Sequence, residues 1–258
     1  MAVTTHAHTA LERIETEQEH VAGELSALDR FEAGVRDLDP ISPAESTGTS
    51  TRAVGDAAPV SSALRRNVGR PDRLDRVRDL FAETVRPHSL ADVEESEPLV
   101  ETIRTELGEE IATAVAPATP GRFTADLQRA ILSSVDQRAA ELRAMNRALA
   151  REEESLASAL ETFEATIDWL VDADETPLSE LGFEALRERH ETLADHRTRF
   201  EAVTSERQET LHCTTTYEGA AGLVHRSLVG YLYGELPATY PALSTAMRLD
   251  AVCEACQQ

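Results

Sequence analysis

Apolar residues recur on a seven-residue spacing in two long parts of this chain. From Leu11 onward, Leu11, Ile14, Val21, Leu25, Leu28 and Val35 take the a and d positions of one heptad frame, with Gln18 and Glu32 at the a positions between them. That pattern draws an apolar stripe down one side of a helix and predicts an N-terminal coiled-coil helix of about 28 residues. The second repeat is longer: Val135, Leu142, Leu149, Leu156, Phe163 and Leu170 follow one another every seven residues, and Ile131, Met145, Leu160 and Ile167 widen the stripe. Thr124 is a candidate N-cap for this helix. "VDADETPLSE" reads as a turn, after which Leu186, Leu193, Phe200 and Val203 carry a further stripe. Two long helices joined by a short turn predict an antiparallel hairpin from residue 124 to about residue 211.

The segments between these repeats read differently. Residues 39–60 hold Pro40, Pro43, Gly48, Gly55 and Pro59 in a polar stretch without periodicity, the pattern of a flexible linker. In residues 61–88, Leu74, Val77, Leu80, Phe81 and Val85 suit a short helix beginning near Asp72, and a second helix is expected from about Glu97 to Val115. Residues 212–258 hold all four Tyr, all three Cys and only six charged residues, and Gly230, Gly234, Pro237 and Pro241 divide them into two or three short helices. The expected fold is all-α and elongated: an antiparallel coiled-coil hairpin with short C-terminal helices, and an N-terminal coiled-coil helix on a tether. The expected segments are 1–38 (coiled-coil helix), 39–60 (linker), 61–117 (short helices with an Arg-rich start) and 121–258 (hairpin and Cys/Tyr-rich helices).

Charge changes the picture of where such a protein works. The 258 residues carry a formal net charge of −22, and all 25 basic residues are Arg. In dilute buffer that charge repels itself, but at molar salt the screening length falls to roughly 3 Å and the repulsion fades. This points to the cytosol of a halophile. A chain without Lys can form no P-loop lysine contact, no Schiff base with pyridoxal phosphate and no kinase-type lysine contact to phosphate. The N-terminal stretch lacks a signal-peptide pattern, and no apolar run approaches the ~18 residues of a membrane span. An odd cysteine count fits a reducing compartment, so the expectation is a cytoplasmic protein with no membrane partner.

Candidate chemistry concentrates in the last 47 residues. Cys253 and Cys256 are three apart on a helix and could offer two thiolates to one zinc ion, with Cys213, His212 or His225 completing the set. The competing explanation is packing, because Leu249, Val252, Cys253 and Cys256 have the spacing of one apolar stripe, and it is preferred, so no cofactor is expected. Glu17/His20 and Glu209/His212 match the Glu-x-x-His spacing of di-iron bundles, but a Glu-rich chain produces such pairs by chance, and His20 falls at an exposed c position. Arg65, Arg66, Arg70, Arg73 and Arg76 form a basic island that could face nucleic acid; high salt and the lack of interleaved aromatics favour pairing with carboxylates instead. "REEES" at 151–155 reads as a solvated charge run. Tyr217, Tyr231, Tyr233 and Tyr240 could line a pocket or fill a small core. No G-x-S-x-G, G-x-G-x-x-G or H-E-x-x-H motif occurs.

Four stretches, "LERIETEQEHVAGELSALDRF", "EPLVETIRTELGEEIATAVAPAT", "ERQETLH" and "YLYGELPATYPALSTAMRLDAVCEACQQ", resemble an uncharacterised helical family of halophilic archaea, a domain of unknown function. The resemblance implies a setting and a helical fold but no activity and no functional residues. Ser89 follows Pro87 and His88 where relatives tend to carry Pro-His-Tyr. With no catalytic set visible, the expected function is a non-enzymatic coiled-coil interaction or scaffold protein that self-associates or binds a protein partner. The alternative is a regulator sensing metal or thiol state through Cys253 and Cys256 with Cys213 and His212, contacting DNA through the Arg island.

Overall fold

The computed structural model describes residues 3–41, 72–89, 98–119, 121–212, 214–217 and 220–258, the side chains of 213–224 excepted. Most of the expected linker, together with Arg65, Arg66, Arg70 and Cys213, lies outside the described residues. The class is all-α, as expected. The helices are α1 (His6–Arg36), α2 (Arg73–Thr84), α3 (Leu99–Leu107), α4 (Glu109–Val115), α5 (Ala125–Asp174), α6 (Phe183–His212), α7 (His225–Tyr233) and α8 (Pro241–Cys256). A ribbon of two short antiparallel strands, β1 (Thr214–Tyr217) and β2 (Ala220–Val224), joins α6 to α7.

Local chemistry sets the helix ends. Asp72 caps α2 by accepting from the Leu74 backbone N–H, and Thr124 caps α5 by accepting from that of Leu127 at 3.2 Å. The one helix expected from about Glu97 to Val115 is two, because Gly108 adopts φ 94°, ψ 163° and ends α3 one residue before α4 begins. That region of backbone space is open essentially to glycine alone.

The chain divides into two compact units, residues 1–21 with 143–258 and residues 22–142, so that α1 and α5 each contribute to both. In the first unit α5 and α6 run antiparallel: the Phe163 and Phe200 rings lie 6.2 Å apart between centroids, and Thr166 meets His196 while Ser155 meets Arg207. Helix α8 runs antiparallel to α6, with Arg197 bonded to Asp250 and Gln257 to the His190 carbonyl. The start of α1 lies along α5 through His8 to Glu164 and Gln18 to Glu153. In the second unit Phe31 of α1 and Phe81 of α2 pack edge to face at 5.5 Å, and Gln128 of α5 donates to the Val35 and Leu38 carbonyls at the end of α1.

The buried positions of α1 correct the predicted seam. Ile14, Val21, Leu28 and Val35 are buried as expected, but the companion column is Ala10, Glu17, Glu24 and Phe31, not Leu11, Gln18, Leu25 and Glu32, which are only half-buried. The helix is turned by one residue because its two inward carboxylates find partners, and Phe31 fills more core than Glu32 could. His20, expected to be exposed, is half-buried.

Truncating Phe81, fully buried against Phe31, removes a large core side chain; Phe81→Ala is expected to cost ~3–5 kcal/mol. Gly108→Ala costs about 1–3 kcal/mol through backbone strain alone. Denaturant unfolding of both variants in molar KCl checks the ranking.

Candidate functional site

The first unit is organised around a carboxylate with no contact with water. Glu152 of α5 has 0% exposure and sits in a core where an unpaired charge would be prohibitive. Three donors from two other helices converge on it. His225 Nε2 donates to Oε2 at 2.5 Å, the Tyr233 hydroxyl donates to Oε1 at 2.9 Å, and the Arg207 guanidinium donates to Oε1 as well. Burial drives the Glu152 carboxyl upward, but the His225 bond and the Arg207 charge together outweigh it and hold the group below its ordinary value. Burial, and then the adjacent Glu152 charge, push the Tyr233 phenol far above its usual range. Arg207 also donates to Ser155 Oγ at 2.9 Å, so both ends of its fork are occupied.

A cavity of about 380 Å³ opens beside this centre. Its lining includes Arg151, Glu154, Ser155, Ser158, Ala159, Val203, Glu206, Arg207, Thr210 and His225. His225 is 1% exposed, and with Nε2–H committed to Glu152 its other ring nitrogen, Nδ1, is buried with no hydrogen-bond partner. His196 is held through the other ring nitrogen: its Nδ1 meets the Thr166 hydroxyl at 2.9 Å beside the Trp169 ring, and its Nε2 is the buried atom without a partner among the described residues. Burial, reinforced by Arg199, holds His196 below its ordinary value, so it stays neutral.

A second buried centre lies in the second unit. Arg138 of α5 donates from Nη2 to Glu24 at 2.7 Å and from Nε to Glu106 at 3.0 Å, and the Ser89 hydroxyl donates to Glu106 at 2.7 Å. Ser89, which stands where an aromatic residue was expected in relatives, is therefore a buried ligand of this carboxylate. One guanidinium cannot neutralise two buried carboxyls. Burial, with Glu106 adding to it and Arg138 opposing, raises Glu24 to about 7.

The comparisons with known proteins bear on the whole of this architecture, since the match runs from residue 5, before α1, to residue 257, after α8. The chain belongs to the family described as domain of unknown function DUF7260. No curated protein and no solved structure matches it. In this DUF7260 chain no helix among the described residues is long and apolar enough to cross a membrane.

The residues singled out by sequence fall into separate surroundings. Cys253 is buried and Cys256 exposed on α8, and Val252, expected in the same apolar stripe, is also exposed. The buried face of α8 runs instead through Ala242, Thr245, Ala246 and Cys253, which leaves Val252 and Cys256 off it. His212 is exposed at the end of α6, with Nδ1 against the Gln208 carbonyl at 2.6 Å. His225 belongs to the Glu152 centre. Among the described residues, no group of three or more His, Cys, Asp or Glu is placed to hold a metal ion. Of the Arg island, Arg76 faces Glu83 at 3.8 Å, and the neighbouring Arg78 donates to the Val115 carbonyl at the end of α4. Glu17 is buried and accepts from Tyr231 at 2.9 Å, while Glu209 shares no metal-type cluster with His212.

"REEES" was the misleading stretch, since Glu152 within it is the most enclosed charge of the unit. A signal was present: Glu152 continues the seven-residue column Ile131, Arg138, Met145, Glu152, Ala159, Thr166. Arg207 and His225 carry no comparable local signature.

Three measurements test these buried groups. The folded Glu24 keeps its proton to about pH 7 whereas the ordinary value is 4.5, so the stability it contributes is complete below the lower value and lost as pH rises through the upper one. The unfolding free energy of Glu24→Gln minus that of the parent should therefore rise between these two values, and a flat difference would contradict the buried pair. For the thiols, burial and the neighbouring Cys256 raise Cys253 to about 11, so a maleimide at neutral pH should label Cys256 rapidly and Cys253 only on unfolding, as mass spectrometry of the peptide 249–258 would read. Cys253→Ala should cost ~1–2 kcal/mol through lost packing.

Proposed function

We propose that this chain is a non-enzymatic interaction or scaffold protein of a saline cytosol, built on coiled-coil helices, that associates with a second copy of itself through the turn between α5 and α6. The observation that carries the reading is the distribution of phenylalanine. Five of the six, Phe31, Phe81, Phe123, Phe163 and Phe200, are at most 2% exposed, whereas Phe183 at the start of α6 is 77% exposed. It is not isolated: Leu178 is 62% exposed, and Val171 and Leu186 are also exposed. Single exposed apolar residues are ordinary, but four around one turn mark an interaction surface. A groove of about 430 Å³ beside them is lined by Trp169, Leu170, Leu186 and Leu193 among others. The other exposed large apolar side chains among the described residues, Val3, Tyr231, Met247 and Val252, lie outside this turn.

The charge supplies a condition for this association. Two copies each carrying −22 repel strongly at about 0.1 M salt, where the screening length is ~10 Å. Molar KCl removes that barrier while strengthening apolar burial in relative terms.

Light scattering should therefore give a monomer mass at about 0.1 M KCl and twice that mass in molar KCl, and Phe183→Ser with Leu178→Ser should restore the monomer in molar KCl without loss of helical signal. A parent protein that stays monomeric at every salt concentration would sink the self-association reading.

A further inference from the structure

A separate cavity of the first unit, about 250 Å³, lies where the start of α1 meets α8. It is lined by Thr4, Thr5, His6, Thr9, Thr245 and Arg248 with two aliphatic residues, and by no carboxylate. In a chain with 47 acidic residues against 25 basic ones, such a lining is selective. The first turn of α1 holds no acidic residue either, so the positive end of this long helix is not offset there. Thr5, placed to cap it, is engaged elsewhere: His8 Nδ1 accepts from the Thr5 backbone N–H at 3.2 Å and meets the Thr5 hydroxyl at 2.8 Å. The amides of His6, Ala7 and His8 have no acceptor within the helix, and no side chain among the described residues accepts from them. Arg248 donates to His6 Nε2 at 3.0 Å and has no carboxylate partner among the described residues. A guanidinium only donates, so His6 Nε2 is the acceptor in this contact. Glu164, bonded to His8, does not line the cavity. Thr245 is the enclosed member of the lining, 3% exposed, and its hydroxyl has no hydrogen-bond partner. Helical threonines elsewhere turn that hydroxyl onto the carbonyl four residues back, as Thr105, Thr166 and Thr210 do, whereas Thr245 leaves the Pro241 carbonyl alone. The partner that a buried hydroxyl needs is left to whatever fills the cavity.

Open amides at a helix N-terminus, a guanidinium without a carboxylate and an unpaired hydroxyl together are complementary to a tetrahedral oxyanion. We propose that this cavity binds a phosphate group, free or as the monoester of a small molecule, over the N-terminus of α1. Arg248 donates to it from the N–H groups not given to His6, the first-turn amides of α1 donate to a second face of the anion, and the Thr245 hydroxyl completes the set. With Arg248 as the one formal charge of the lining, the cavity offers a phosphate a cationic surrounding inside a protein of net charge −22. A planar carboxylate presents two oxygens in one plane and chloride a single centre, so neither meets all three kinds of donor at once. The cavity shares no residue with the surface around Phe183, so either reading can fail alone.

The test titrates inorganic phosphate, and separately methyl phosphate, into the full chain at fixed pH in molar KCl, with potassium acetate as the planar control and chloride present throughout. Backbone proton–nitrogen spectra report the amides of His6, Ala7 and His8 directly. Phosphate is expected to shift these amides in a saturable way, and acetate to leave them unmoved. Saturation by methyl phosphate as well assigns the cavity to monoesters, and saturation by inorganic phosphate alone assigns it to the free ion; both support the proposal. Arg248→Gln, at an exposed position, should weaken phosphate binding by about tenfold, the loss of one charge-assisted bond. Thr245→Val, which keeps the shape of the side chain and removes its hydroxyl, should weaken it by about fivefold. No shift with either phosphate probe, an equal shift with acetate, or unchanged affinity in either variant would each overturn the proposal, leaving a cavity filled by water.

Discussion

A charge that cannot reach water dictates how the first unit is put together. Heptad stripes by themselves leave the sliding register of two helices open, because a slip of seven residues brings like against like. Glu152 removes that freedom. Its position requires Arg207 of α6 opposite it and His225 and Tyr233 of α7 above it, and the same register brings Phe200 against Phe163 and His196 against Thr166. Sliding α6 by one heptad would present Phe200 to Glu152 and leave a buried carboxylate without its guanidinium, a loss on the order of 3–5 kcal/mol when one partner of a buried pair is removed. Apolar stripes supply the driving force here, and the buried charge supplies the choice among registers.

The second unit applies the same device with the opposite sign at the centre. There α5 contributes the cation, Arg138, and α1 and α3 contribute Glu24 and Glu106. Arg138 and Glu152 lie fourteen residues apart on one column of α5, and Thr166, the anchor of His196, lies fourteen further on. In the saline cytosol proposed for this chain, the placement has a physical rationale. Ion pairs on the surface, such as Arg187 with Glu184, are screened almost completely, so charges can specify structure only where salt does not reach. A lysine-free sequence suits the task, since a guanidinium offers a planar fork that can hold two acceptors at once, as both Arg138 and Arg207 do.

Much of this was readable along the chain, and the parts that were not share one cause. Period and capping residues located α5, its start at Thr124 and the start of α2 at Asp72, because those signals are local. The seam of α1 lies one residue from the predicted one, because charged residues usually face solvent whereas Glu17 and Glu24 point inward. Glu152 was hidden in "REEES" for the same reason. Whether a carboxylate points inward depends on a partner far away in sequence, Arg207 for Glu152, Arg138 for Glu24 and Tyr231 for Glu17, 55, 114 and 214 residues off, and no window along the helix contains that partner. The seven-residue column through Ile131, Met145 and Ala159 was the available hint, and it has force only if polar members of a column are allowed to be buried.

These interior sites also bear on what is left outside. Once the polar clusters fix the registers, Ile14, Val21, Leu28, Leu142, Leu149, Leu156 and Phe163 of the long helices close on their neighbours. Against that background the exposed side chains at the turn between α5 and α6 are not a remainder of loose packing. A chain with only six Phe and one Trp has few large side chains to spend, and burying one is worth about 1.5–3 kcal/mol. Five Phe are enclosed and the sixth stands in solvent beside Leu178, the contrast on which the proposed self-association rests. In a highly anionic protein that gain is conditional on salt, because apolar contact between two copies must overcome their mutual charge before it can stabilise anything. Under the proposed association, the salt that screens surface ion pairs is also the salt that would let two copies meet through Phe183.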